Sequence, residues 1–254
     1  MRLITHNVYW FQGYPSHWGA ERISAAPPVF DALAHLYAAA QVDILCLQEV
    51  HDAELAERLA RQLGMTGWIH APGGIRSDYG GVILSRFPAH FRDLTRDGAA
   101  PPHERVHLRA SIDREGDRYE VAVVHLPSDR FQGASGNAAR VAELRRVVDT
   151  SPRPDIVVGD MNSQPNSLPY QFMLEAGYVD AAVAQGLAVE RSRWSRGTIV
   201  PAKYSNIGYI WIDQAQAHRL TAFTPLDTDL FQCQTPDGHP GHLSDHPPLL
   251  MAWA

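Results

Sequence analysis

Four short polar stretches carry the residues that could do chemistry: HN at 6–7, QE at 48–49, GDMN at 159–162 and SDH at 244–246. Each follows a strand-like apolar run, so each is read as the polar end of a strand. One polar strand end is ordinary. Four that supply Asn7, Glu49, Asp160 with Asn162, and Asp245 with His246 are not. Glu49 and Asp245 are hard anionic oxygen donors and Asn7 offers a neutral amide oxygen, the donor types that Mg²⁺ prefers. Asp160 and Asn162 lie two apart, so in an extended segment both side chains point the same way. The plainer reading of GDMNSQPNS is an Asx turn after a strand, because the segment is rich in turn formers.

These ends need strands to carry them. Arg2–Val8 alternates like a strand, and Pro27 and Pro28 can open a helix through VFDALAHLYAAA. Val42–Gln48 is a short apolar run of β type. Asp52 is placed to cap the helix AELAERLARQLG, which Gly64 ends. Strands are predicted near Gly67–His70, Gly81–Ser85, Val106–Ile112 and Tyr119–His125. Asn137 can cap a helix through AARVAELRRVVDT, followed by the strand DIVVGD and a short helix near Leu168–Ala176. Strands near Ser205–Ile212, Arg219–Thr224 and Pro248–Trp253 close the chain. Many strands with few helices give an α/β (α+β) class, in which two sheets pack face to face with helices outside. The short connections between the middle strands favour antiparallel pairing there.

The 254 residues are 45% hydrophobic, enough for one large core, and no low-complexity linker or repeat divides them, so residues 1–254 are read as one domain. The net charge of -6 lacks the basic footprint of a nucleic-acid binder, although a bound cation can invert the field in one cleft. The two cysteines suggest neither a disulfide framework nor a metal site. No apolar run reaches membrane-spanning length. A cytoplasmic monomer is expected, or a secreted one if an N-terminal signal has been removed.

Six blocks in order, THNV, DILCLQEV, YGGVILSRFP, VVHLPS, VVGDMNSQP and LSDHPPLL, resemble the endonuclease/exonuclease/phosphatase superfamily, the DNase I-like metal-dependent phosphoesterases. The resemblance covers nearly the whole chain. It implies a four-layer α-β-β-α sandwich with two packed mixed sheets and a Mg²⁺-dependent (or Mn²⁺-dependent) phosphoesterase. It also implies Glu49 as principal metal ligand, with Asn7 and Asp245 nearby, and gives Asp160 and Asn162 to the attacking water or a phosphate oxygen. His246 and His125 become contacts to the scissile phosphate, a task suited to imidazole. The plainer reading of His125 is a histidine satisfied at a strand end. DGHPGHLSDH also brings His239, His242 and His246 close enough in sequence for a Zn²⁺ site, but in a Gly- and Pro-rich segment with no helix to align them.

One position departs from that pattern. Family members carry Arg-Ile-Asp-Tyr-Ile ahead of the final SDH, and its Asp orients the histidine. Here the overlay puts Asn206 in the Arg place and Gly208 in the Asp place. Asp213 is five residues on, and an odd separation in a regular strand points to the opposite face. Competence therefore turns on Gly208, and a catalytically weakened phosphate-ligand-binding protein is the rival to a working enzyme.

Two segments could select substrate. YWFQGYPSHWG follows Asn7, and its Trp10, Phe11, Tyr14 and Trp18 could stack on a ligand or anchor the loop. Arg193 sits in VERSRWSRG, a candidate arm for a second phosphate or a polyanion, or a solvated loop. The acidic balance argues against a processive nuclease; the substrate expected is a phosphodiester or phosphomonoester of small or moderate size, with a DNase-like endonuclease as the alternative.

Overall fold

The computed structural model describes residues 1–14, 24–98, 101–129, 136–187, 197–198, 205–227, 229–234 and 240–254. Arg193, Trp18 and His239 lie outside these described residues. Among the described residues sixteen strands are numbered in chain order. One six-stranded sheet runs β13 (Leu220–Pro225), β16 (Leu249–Trp253), β1 (Arg2–Asn7), β2 (Ile44–Gln48), β4 (Gly81–Ser85), β3 (Gly67–Ala71). The other runs β5 (Ala89–Asp93), β6 (Val106–Arg114), β7 (Asp117–His125), β8 (Ile156–Asp160), β12 (Gly208–Asp213), β9 (Tyr178–Asp180). Two small ribbons pair β10 (Gly197–Thr198) with β11 (Ser205–Asn206), and β14 (Gln232–Gln234) with β15 (Pro240–His242). Both large sheets are mixed: β1 runs parallel to β2 and β7 parallel to β8, while the other pairs are antiparallel.

The period of two decides what each strand residue meets. Leu3, Ile44, Cys46, Val121, Val123, Ile156, Val158, Ile210 and Ile212 form the layer between the sheets. Ile4, Leu45 and Leu47 face the helices Pro27–Ala39 and Ala53–Leu63 on one side. Val124, Val157, Tyr209 and Trp211 face Gly136–Val148 and Leu168–Glu175 on the other. The result is the α-β-β-α sandwich. Each fully buried aliphatic side chain contributes about 1.5–3 kcal/mol.

Local signals behave as their chemistry requires. Asp52 Oδ1 accepts from Glu54 N at 2.8 Å, and Gly64 ends that helix at φ 63°. The predicted strand Ser205–Ile212 is broken at Ile207, and the helix expected to be capped by Asn137 starts one residue earlier, at Gly136. Among the described residues no helix is long and apolar enough to cross a membrane.

Candidate active site at the rim of the sheets

The inter-sheet face changes chemistry at one end. On β8 the sequence Ile156, Val158, Asp160 places a carboxylate next in line after two core residues; on β7, Val121 and Val123 lead to His125. On β1, Leu3 leads through Thr5 to Asn7. The register sets the polar residues side by side, with His125 opposite Asp160 and Asp160 opposite Gly208. Gly159 permits this close fit, since a Cβ there would collide with the Val124 carbonyl.

Asp160 is the hub. Its Oδ2 accepts from Asn7 Nδ2 at 3.1 Å and lies 3.3 Å from His125 Nε2 and 3.7 Å from His246 Nε2. Its Oδ1 accepts from the Asn162 backbone at 3.0 Å. Both sequence readings are therefore present at once: one oxygen closes an Asx turn while the other faces the site. Burial opposes ionisation of Asp160, but the two imidazoles hold its carboxyl well below the usual range.

Asn162 corrects the parity argument. It sits at φ 46°, so the segment is not extended beyond Asp160, and its amide nitrogen donates to the Leu126 carbonyl at 2.9 Å. Its side chain is turned away from the oxygen of Asp160 that faces the imidazoles. Asn tolerates this left-handed conformation, which ends the strand and aims the following loop sideways.

Glu49 stands just beyond β2, 6% exposed, at φ 62°. Such strain in a non-glycine residue costs about 1–3 kcal/mol and is held by its surroundings. Here the holder is the turn Tyr9–Phe11, whose Trp10 backbone donates to the Glu49 carbonyl at 3.2 Å. Glu49 Oε1 is 3.9 Å from His125 Nε2, while Oε2 is buried without a hydrogen-bond partner. Burial, then the nearby Asp245 charge, pushes the Glu49 carboxyl up to about 8. Burial and Asp160 raise Asp245 as well. Three converging carboxylates with an unmet oxygen outnumber the one guanidinium near them among the described residues, Arg105, and a hard divalent cation fits that deficit. Among the described residues no three His, Cys, Asp or Glu side chains form a ready-made metal cage, and Mg²⁺, which keeps several of its waters, does not need one. Asn7 Oδ1 accepts from Tyr9 N at 3.0 Å, and its nitrogen donates to Asp160 Oδ2.

The SDH segment is fastened to the end of β1. Ser244 Oγ donates to the Asn7 carbonyl at 2.6 Å and accepts from His246 N at 3.2 Å. His6, on the opposite face from Asn7, reaches the His246 carbonyl at 2.8 Å through Nε2. A carbonyl only accepts, so Nε2 carries the proton and Nδ1 accepts from Tyr37 Oη at 2.6 Å. Burial holds His6 down to about 3, so this neutral bridge persists.

Gly208 lines a water-sized space of about 10 Å³ together with Asp160, His246, Asn7 and His6. Asp213 ends the same strand at its far side, pairs with Arg153 at 2.8 Å and caps the next turn through Ala215 N. It is remote from His246 and committed elsewhere, so parity is not its only obstacle.

Trp10 follows the second of its two sequence readings. Trp10 is 3% exposed, packs edge-on against Tyr79 at 5.1 Å and donates from Nε1 to the Asp78 carbonyl at 2.7 Å. It anchors the turn and offers no free ring to a ligand. As for the Zn²⁺ alternative, His242 lies in the ribbon β14–β15, 5.9 Å from the Phe231 ring, and among the described residues no three His, Cys, Asp or Glu side chains come together to hold a metal ion. Arg105 was not anticipated. It is 4% exposed, touches His125 Nε2, lies 4.2 Å over the Tyr79 ring, and has a buried Nε that makes no hydrogen bond and lies 3.8 Å from Glu104 Oε1. Its signal was present: Arg105 precedes β6, and antiparallel pairing of Val106 with His125 puts it beside the site.

Such a rim, with three carboxylates, two imidazoles and one guanidinium on the inner face of paired sheets, suits the binding and activation of an anionic ester. The chain belongs to the Endonuclease/Exonuclease/phosphatase family, which it matches over residues 4–246. Solved structures of the same fold include sphingomyelinase C from Streptomyces griseocarneus (17% identity, TM-score 0.68, covering 100% of this chain and 99% of that one). The human Nocturnin catalytic domain with bound sulfate is also similar (21%, TM-score 0.66, 99% and 92%). So is the mannosyl-6-phosphatase Bt3783 of Bacteroides thetaiotaomicron VPI-5482 (13%, TM-score 0.68, 100% and 99%). No curated protein matches the chain by sequence.

Proposed function

We propose that this chain is a divalent-metal-dependent phosphoester hydrolase. The observation that carries the reading is the buried, partnerless Oε2 of Glu49 beside Asp160 and Asp245, with two imidazoles and Arg105 on the same rim. Family membership supports it, as do the phosphate-ester chemistry in the name of the Bacteroides neighbour and the sulfate held by the human one.

Glu49 and Asp245 would hold Mg²⁺ or Mn²⁺, and Asn7 would fix Asp160 rather than bind the ion. A cation bound there supplies charge neutralisation for the phosphate oxygens. Asp160, ionised and with Oδ2 facing the site, accepts a hydrogen bond from the attacking water and aligns it. Its low proton affinity makes it an orienting acceptor more than a strong base. His125, His246 and Arg105 face the phosphoryl group, where charge grows as the water oxygen bonds to phosphorus and the ester P–O bond breaks. Asn162 shapes the turn that presents Asp160.

Gly208 supports a second reading, a member weakened in turnover that still binds phosphate ligands, because no carboxylate stands beside His246 on β12. A phosphomonoester and phosphodiester panel with and without Mg²⁺, on the chain as it is and on Gly208→Asp, separates the two. Mg²⁺-dependent turnover of the unaltered chain that Gly208→Asp does not raise removes the second reading. No metal-dependent turnover in either protein sinks the first.

A further inference from the structure

The segment His103–Arg105 leads into β6 and delivers Arg105 to the rim, yet its three residues belong to neither helix nor strand. A guanidinium carried on irregular backbone keeps its place only where that backbone is fastened. Two elements outside the rim fasten it.

From one side, Glu143 reaches in from the helix Gly136–Val148. Arg140, Glu143, Leu144 and Val147 share the buried face of that helix at spacings of three and four. Glu143 Oε1 accepts from Glu104 N at 2.7 Å, and Oε2 lies 3.1 Å from His103 Nδ1. A carboxylate only accepts, so Nδ1 carries the proton. A buried carboxylate is costly unless hydrogen bonds meet it, and both oxygens of Glu143 are met by this one segment. From the other side, the turn after β3 lies against the same backbone. Gly74 N donates to the Arg105 carbonyl at 2.6 Å, and Ile75 N and Arg76 N donate to the Glu104 carbonyl at 3.0 and 2.8 Å. Gly74 lets the two chains come this close, since a Cβ there would collide with the His103 carbonyl. The next side chain along, Arg105, is the one that touches His125 and lies over the Tyr79 ring.

We propose that Glu143 is a positioning residue for the hydrolysis at the rim, acting through Arg105, whose guanidinium it holds against His125. The proposal rests on the phosphoesterase reading, in which Arg105 meets the charge that grows on the phosphoryl group. Gly74 supports the same segment from the opposite side. A Gln at 143 can keep both bonds, its oxygen accepting from Glu104 N and its nitrogen donating to His103 Nδ1 in the other tautomer, whereas a Leu can keep neither.

The test is a double-mutant cycle on a chromogenic phosphodiester in Mg²⁺. Glu143→Leu is expected to lower kcat/KM about 10–100-fold, the scale on which a displacement of about 1 Å is felt, through kcat with KM little changed. Glu143→Gln should recover most of that loss. In an Arg105→Leu background, Glu143→Leu should change kcat/KM by less than about twofold, since no guanidinium is left to place. If Glu143→Leu fails to fold, as read by its melting curve, Gly74→Ala is carried through the same cycle. Equal losses in the two backgrounds overturn the inference. So do an unchanged kcat/KM in folded Glu143→Leu, an equal loss in Glu143→Gln, or an Arg105→Leu protein as active as the unaltered chain. Calorimetry with inorganic phosphate in Mg²⁺ separates the inference from the reading beneath it: Glu143→Leu should weaken binding about tenfold, and only where Arg105 is present. That binding pattern without turnover by the unaltered chain sinks the phosphoesterase reading and leaves Glu143 positioning Arg105 for an anion. Phosphate binding that ignores Glu143→Leu overturns the inference, and neither turnover nor phosphate binding by the unaltered chain overturns both.

Discussion

Gly208→Asp restores a charge at a position whose surroundings are known. Gly208 is directly opposite Asp160 on an antiparallel pair, so a side chain there shares the face of the Asp160 carboxylate, with Cβ atoms about 4.5–5.5 Å apart. It would enter the water-sized space that His246 also lines. Two carboxylates about 5 Å apart at an effective dielectric near 20 repel by about 3 kcal/mol, and an imidazolium at a similar distance is attracted by as much. Until the imidazole gains charge the repulsion is not offset, so the folded protein should lose up to about 3 kcal/mol of stability. If the attraction is expressed only as the imidazole gains charge in the transition state, it is worth about two orders of magnitude in rate. Removing the orienting carboxylate from a serine-protease triad costs about 10⁴ in turnover, which sets an upper bound here. The assay is initial rate on a chromogenic phosphodiester in Mg²⁺, with Gly208→Asn as the uncharged control of equal shape. The reasoning is refuted if Gly208→Asp folds and runs no faster than the unaltered chain, or if Gly208→Asn gains equally.

Arg105→Leu should lower kcat/KM by about 10²–10³, the usual loss on removing one preorganised donor to a developing oxyanion, with Arg105→Lys intermediate. An unchanged kcat/KM in a folded Arg105→Leu protein would remove Arg105 from the site. Burial, with His103 and Arg109 alongside, holds the His107 imidazole well below the ordinary histidine range. Below about pH 6.5 the unfolded chain takes up a proton that folded His107 refuses, so this group makes stability fall with falling pH, by about 1.4 kcal/mol per unit. Denaturant unfolding at pH 7, 6 and 5 should show that slope reduced by one proton in His107→Leu, and an undiminished slope contradicts it.

The sandwich was legible because alternation and caps are local properties. β1, β2, β7 and β8 each carry enough apolar residues to announce a face, and Asp52 and Gly64 mark their helix unaided. β5 escaped because AHFRD is half solvated and lacks a clean apolar face, and β9 because three residues are too short for a period. At the site, residue types were readable and directions only partly so. Asp160 and His125 lie where continued alternation puts them. Asn162 and Glu49 do not, since positive φ at each breaks the strand rule, and nothing local marks a left-handed Glu. The role of Trp10 depended on Asp78 and Tyr79, nearly seventy residues away in the chain, which no local pattern encodes.

The central claim is that the Glu49 carboxylate, whose Oε2 makes no hydrogen bond, and its neighbours form a divalent-cation site. Mn²⁺ binding, followed by the loss of the free-ion paramagnetic resonance signal, tests it without turnover. The account predicts one ion per chain, displaced by Mg²⁺, with affinity about 10–100-fold weaker in Glu49→Gln. Equal Mn²⁺ binding by the two proteins, or none by either, would contradict it.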